Sequence, residues 1–243
     1  MTYCVGMMLD KGLVFMSDTR TNAGVDNIST FRKLVSWEEP GERVMTLMSA
    51  GNLATTQSVV SILDERTKAA GEREPSILAA PSMYQAARMV AETLREVIEE
   101  HADCGQRADS TFNATLILGG QIKGSSPRLF LIYPEGNFIE AGPDSPFFQI
   151  GETKYGRPIL VRAYDPAMSF EDALKLLVVS FDSTVKANLS VGAPFDIQLI
   201  ETDALRLGRR HRIEADDPYY LTISQNWGEA LKQALDSLPP FTW

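Results

Sequence analysis

The 243-residue chain carries 32 acidic residues against 23 Lys and Arg, a formal charge of −9, and 44% of its residues are hydrophobic. That length and apolar content can bury a full core, and no Pro/Gly/Ser linker divides the chain, which predicts one domain over 1–243. The scattered Lys and Arg lack the clustered basic face of a nucleic-acid binder, and no apolar run is long enough to cross a bilayer.

Removal of Met1 would leave Thr2 at the head of a strand-like run, residues 2–9, with no leader before it. Asp10 and Lys11 break that run where a secretory signal would continue. A leading threonine carries a hydroxyl nucleophile and an α-amine of pKa about 8 on one residue. A small second residue also simply permits methionine excision, so Thr2 alone decides nothing.

Residues 13–17 form a second apolar run after the turn signal Asp10-Lys11-Gly12, which predicts a β-hairpin. The hairpin returns Asp18, Thr19 and Arg20 to the end where Thr2 begins. Residues 21–27 read as a polar loop, and Lys33 then enters an apolar strand-like segment, 31–35. A lysine buried on a strand must find a carboxylate or lose its charge, and Asp18 is the candidate. Near an N-terminal amine, the ammonium would lower the amine pKa and stabilise a developing alkoxide while the aspartate orients it. An ordinary hairpin-closing salt bridge fits the same spacing.

Residues 43–48 predict a strand, 53–66 a helix running on towards Gly71, and Pro81-Ser82 the start of a second helix with apolar positions at Met83, Ala87, Val90, Leu94, Val97 and Ile98. Strands are predicted at 114–118 and 128–133, with a turn at 134–137 into 138–140. The glycines of 119–124 lack the Gly-Lys-Ser/Thr ending of a phosphate loop and read as a hairpin turn. A helix pair follows at 154–162 and 169–188, then strands at 195–200 and 219–223. An amphipathic segment, 227–238, ends at Pro239-Pro240 before the aromatic tail Phe241-Thr242-Trp243, which suits either a docking element or a fold-back on the core. Helix pairs separated by strand runs favour two stacked sheets between helical layers over a doubly wound sheet.

Cys4 and Cys104 show no metal spacing and read as reduced thiols of a cytoplasmic protein; Cys4, two residues from Thr2, suits either a place lining the site or a small buried core position. His101 and His211 lie far apart in sequence, so neither a zinc site nor a Ser-His-Asp arrangement is indicated. No cofactor is implied.

The opening Thr2-Tyr3-Cys4-Val5-Gly6, the stretch Met16-Ser17-Asp18-Thr19-Arg20-Thr21-Asn22-Ala23-Gly24, Lys33 and Ser49-Ala50-Gly51 resemble proteasome β-type subunits, and more narrowly the bacterial ancestral β-subunit branch, Anbu. The resemblance runs over nearly the whole chain. It implies an α+β fold, the four-layer αββα sandwich of N-terminal nucleophile hydrolases, that self-assembles into a closed ring or an open helical particle. It further implies Thr2 as nucleophile, its amine as base, Asp18 and Lys33 as the flanking pair, and Gly51 as an oxyanion-hole donor. Gly51 equally suits a tight strand-to-helix turn.

The second half matches less well. Ser190, in Asn188-Leu189-Ser190-Val191-Gly192, fits a family serine that helps hold the amine, but Asn188 stands where an aspartate is expected, and Glu152 falls near a second serine position. Ser190 suits a loop at a helix end equally well. Two functions follow: a threonine-type hydrolase cleaving peptide or amide bonds of peptide or protein substrates inside a particle, or a weakly active or inactive scaffold or binding compartment of the same fold. The chain has no ATP-binding motif, so any energy-driven unfolding would need a separate ATPase.

Overall fold

The computed structural model describes residues 2–22, 28–68, 75–105 and 112–243. Two five-stranded antiparallel sheets form its centre among the described residues. The first contains β1 (Tyr3–Leu9), β2 (Gly12–Asp18), β10 (Phe147–Gly151), β11 (Phe195–Glu201) and β12 (Arg210–Ile213), in the order β10-β1-β2-β11-β12. The second runs in the order β5 (Leu34–Glu39), β6 (Arg43–Gly51), β7 (Ala114–Ile122), β8 (Arg128–Ile132) and β9 (Phe138–Glu140). A small ribbon pairs β3 (Arg20–Asn22) with β4 (Ile28–Thr30).

The strands are apolar almost throughout because each inner sheet is covered on both faces, and the period of two divides their side chains between different cores. On β1, Tyr3, Val5, Met7 and Leu9 face a helical layer, whereas Cys4 faces the other sheet. On β6, Met45 and Leu47 face helices, whereas Val44, Met48 and Ala50 face the opposite sheet. At Gly119, an added Cβ would lie 2.6 Å from the Phe15 ring, so glycine allows the two sheets to approach there.

Helices α1 (Leu53–Lys68) and α2 (Met83–Gly105) cover the second sheet; α3 (Arg157–Ala163), α4 (Phe170–Ala187) and α5 (Pro218–Asp236) lie on the side of the first. Caps fix their starts: Asn52 Oδ1 accepts from Thr55 N–H, Ser82 Oγ from Gln85 N–H and Ser169 Oγ from Asp172 N–H. Met83, Ala87, Val90, Leu94 and Val97 form the buried stripe of α2, as their spacing predicts. The result is the αββα sandwich: helices, sheet, sheet, helices.

Several elements differ from the sequence reading. Residues 219–223 are not a strand but the first turns of α5, because Asp217 accepts from Tyr219 and Tyr220 N–H and Pro218 occupies the first helical turn. The amphipathic segment 227–238 belongs to the same helix up to Asp236. Gly119 and Gly120 lie inside β7, and the turn comes later, at Gly124 with φ +79°. Lys33 precedes β5 rather than lying on it, and Thr21 belongs to β3. Strands β4, β10 and β12 have no counterpart in the sequence reading. Gly71 and residues 23–27 lie outside the described residues, as does the side chain of Cys104.

Candidate active site

The hairpin register determines the first contacts. Cys4 pairs with Ser17, so Asp18 falls beside Tyr3, and Asp18 Oδ1 accepts the Tyr3 N–H at 2.9 Å. The segment before β5 is tied to β6 by Ser49 N–H donating to the Lys33 carbonyl. From there Lys33 Nζ donates to Asp18 Oδ1 at 2.6 Å and to the Arg20 carbonyl at 2.7 Å. Burial pushes the Asp18 carboxyl above its usual range; the Lys33 charge and hydrogen bond, with the Tyr3 and Gly192 backbone amides, pull the other way.

Thr2, Lys33, Gly51 and Gly151 line one cleft of about 870 Å³ together with Thr21, Phe31, Arg32, Val35 and the start of α1. Gly51 ends β6 at φ +123°, and a Cβ there would lie 2.4 Å from the Asn113 carbonyl oxygen. The position therefore requires glycine for the turn into α1, and it borders the cleft. A hydroxyl, a buried ammonium and a glycine-only backbone segment thus meet in one cleft, which suits attack on a carbonyl and stabilisation of the resulting oxyanion.

The second half contributes on the other side of Thr2. Gly151, at φ +83°, packs so closely that a Cβ would lie 2.0 Å from the Thr2 carbonyl oxygen, and Glu152 N–H donates to that oxygen at 2.6 Å. Asn188 Nδ2 donates to Glu152 Oε2 at 3.0 Å, and Asn188 Oδ1 accepts from Ser190 N–H at 3.0 Å. Arg20 holds this turn by donating to the Leu189 carbonyl. Among the described residues Ser190 is linked to Thr2 through Asn188 and Glu152, and it does not line the cleft. Sequence reasoning missed Gly151; its only signal was a glycine at the end of an unrecognised strand.

Cys4 lies between the sheets, its Sγ 3.8 Å from the Ser49 carbonyl oxygen, and burial pushes its thiol up, which removes thiolate reactivity. Tyr3 Oη is held by Ser180 at 2.7 Å and Gln149 at 2.6 Å; its burial pushes the phenol up to about 12. Among the described residues no group of three or more His, Cys, Asp or Glu is arranged to hold a metal, and no helix is long and apolar enough to cross a membrane.

Residues 2–200 match the family model described as proteasome subunit. Anbu from Hyphomicrobium sp. strain MC1 is 50% identical, with a TM-score of 0.89 over 99% of this chain and 100% of that one. Anbu from Yersinia bercovieri is 48% identical, with a TM-score of 0.91 over 99% and 100%. A structure of the helical assembly of the Anbu complex from Pseudomonas aeruginosa is 45% identical, with a TM-score of 0.92 over 99% and 98%. With the sandwich, the hairpin-borne Asp18–Lys33 pair and these likenesses together, the chain belongs to the proteasome subunit family, in its ancestral β-subunit, or Anbu, branch.

Proposed function

We propose that this chain, as one domain, is a threonine-type hydrolase that cleaves peptide or amide bonds of peptide and protein substrates. The observation that carries this reading is the buried Lys33–Asp18 pair, hydrogen-bonded to the peptide unit next to Thr2 and sharing a cleft with Thr2 and Gly51. After Met1 removal, the Thr2 amine takes the hydroxyl proton, directly or through one water, and Oγ1 attacks the carbonyl carbon. Lys33 stabilises the alkoxide, and the Gly51 backbone N–H stabilises the tetrahedral oxyanion; loss of one such donor typically costs about 3–4 kcal/mol. Collapse, with the Thr2 ammonium giving its proton to the leaving nitrogen, expels the amine product and leaves an acyl-enzyme; water, deprotonated by the same amine, then hydrolyses it to the acid and free Thr2. Ser190 acts at a distance, through Asn188.

The likeness to the helical assembly of the Pseudomonas aeruginosa complex supports self-association, with a helix favoured over a closed ring. We place the particle in the cytoplasm, with any unfolding ATPase a separate protein. Intact-mass measurement should find Met1 absent, and an electrophile selective for terminal threonine should label Thr2. Thr2→Ala should abolish labelling without altering assembly. Retained Met1 would exclude the amine-base mechanism; a free Thr2 that stays unlabelled near neutral pH would leave the scaffold reading.

A further inference from the structure

The shell beside Thr2 holds a carboxylate that the mechanism above does not use. Glu152 is 9% exposed. Among the described residues its side-chain hydrogen bonds come from neutral donors, Lys154 N–H at 3.2 Å on Oε1 and Asn188 Nδ2 at 3.0 Å on Oε2, and it forms no ion pair there. A buried carboxylate without a cation is costly, which points to a missing positive partner. The pairing of Tyr3 with Gly151, continued one step, sets Glu152 opposite Thr2, and the 2.6 Å bond from Glu152 N–H to the Thr2 carbonyl holds the two residues together.

We infer that Glu152, clamped by Asn188, is a positioning residue for the Thr2 α-amine, holding its ammonium form and setting the pH at which it becomes a free base. This rests on the reading of Thr2 as the mature N-terminus. The charged groups on the surrounding elements are Asp18 from β2, Arg20 from β3, Arg32 and Lys33 before β5, and Glu152 and Lys154 after β10; the turn after α4 brings neutral Asn188 and Ser190. Lys33 favours loss of the amine proton and Glu152 opposes it, so the two set the midpoint between them. The carboxylate expected in the second half is thus supplied from the β10 side, and the amide from the α4 side.

The test titrates the N-terminal amine of the full-length protein by the pH dependence of its acetylation with acetic anhydride, read by mass spectrometry of the N-terminal peptide, which needs no turnover. Glu152→Gln should lower the midpoint by about one pH unit. The double variant Glu152→Gln with Asn188→Asp exchanges donor and acceptor while keeping one negative charge and all three hydrogen bonds, and it should restore the midpoint. An unchanged midpoint in Glu152→Gln, or an equal shift in both variants, overturns the inference. Should Glu152→Gln fail to fold, Glu152→Asp is measured: withdrawing the carboxylate by one methylene should lower the midpoint, and no change overturns the proposal. An amine midpoint that responds as stated in a protein whose Thr2 never reacts with the electrophile overturns the hydrolase reading alone, whereas retained Met1 overturns both.

Discussion

Lys33 and Asp18 form an ion pair almost without solvent: Nζ lies 2.6 Å from Oδ1, with side chains 6% and 0% exposed. Such a pair resists loss of one member more than loss of both, since a lone buried charge keeps its desolvation cost without its partner. Asp18→Ala is expected to destabilise the protein by about 3–5 kcal/mol, and adding Lys33→Met should recover part of that loss. Urea midpoints of the two variants check it; a double variant no more stable than the single one would contradict the account.

The pH dependence of stability follows from the direction of the Asp18 shift. Burial raises its folded-state value above the unfolded one, so between about 3.9 and the folded value the native state holds more protons than the unfolded state. The Asp18 contribution is therefore greatest at low pH and falls as pH rises through that window. The stability difference between wild type and Asp18→Asn should shrink from wild type's side as pH rises from about 4. A difference moving the opposite way would mean that Lys33 outweighs burial.

Gly151→Ala should uncouple Thr2 from its support. The added methyl would occupy the space of the Thr2 carbonyl oxygen, in a backbone region where an L side chain is strained. A displacement of about 1 Å at a reacting group costs on the order of 10²-fold in rate. Labelling of Thr2 by the electrophile is expected to slow by that factor, while the far helical layer, α1 and α2, keeps its hydrogen-exchange protection.

The interface between the sheets should be sensitive to a single methyl. Gly119→Ala would place Cβ 2.6 Å from the Phe15 ring and 2.8 Å from Leu129 Cδ1, an overpacking worth about 1–3 kcal/mol. Phe15→Leu makes room, so the double variant should cost less than the sum of the two single changes. A double-mutant cycle by chemical denaturation measures the coupling, and strict additivity would disprove direct contact.

Much of the fold is legible in local pattern. The β1–β2 hairpin, the long strands β6 and β7, and the helices α1, α2 and α4 announce themselves through period and turn chemistry. The misreadings fall where local pattern is ambiguous. Tyr219 to Ile223 has strand-like composition, yet the Asp217 cap and Pro218 commit it to α5. Strand β12 is the polar Arg-His-Arg-Ile segment at a sheet edge, where alternation carries little signal.

By itself the sequence determined the hairpin that returns Asp18 to Thr2, the need of Lys33 for a carboxylate, and the family to which the opening motif belongs, because these depend on short range and on residue chemistry. Tertiary structure alone decided that Gly151 and Glu152, some 150 positions along the chain, hold the Thr2 carbonyl, and that Asn188 and Glu152 form one hydrogen-bonded pair. Such contacts arise from the register of β10 against β1 and from the packing of α4 over the sheet, and neither leaves a local mark in the chain.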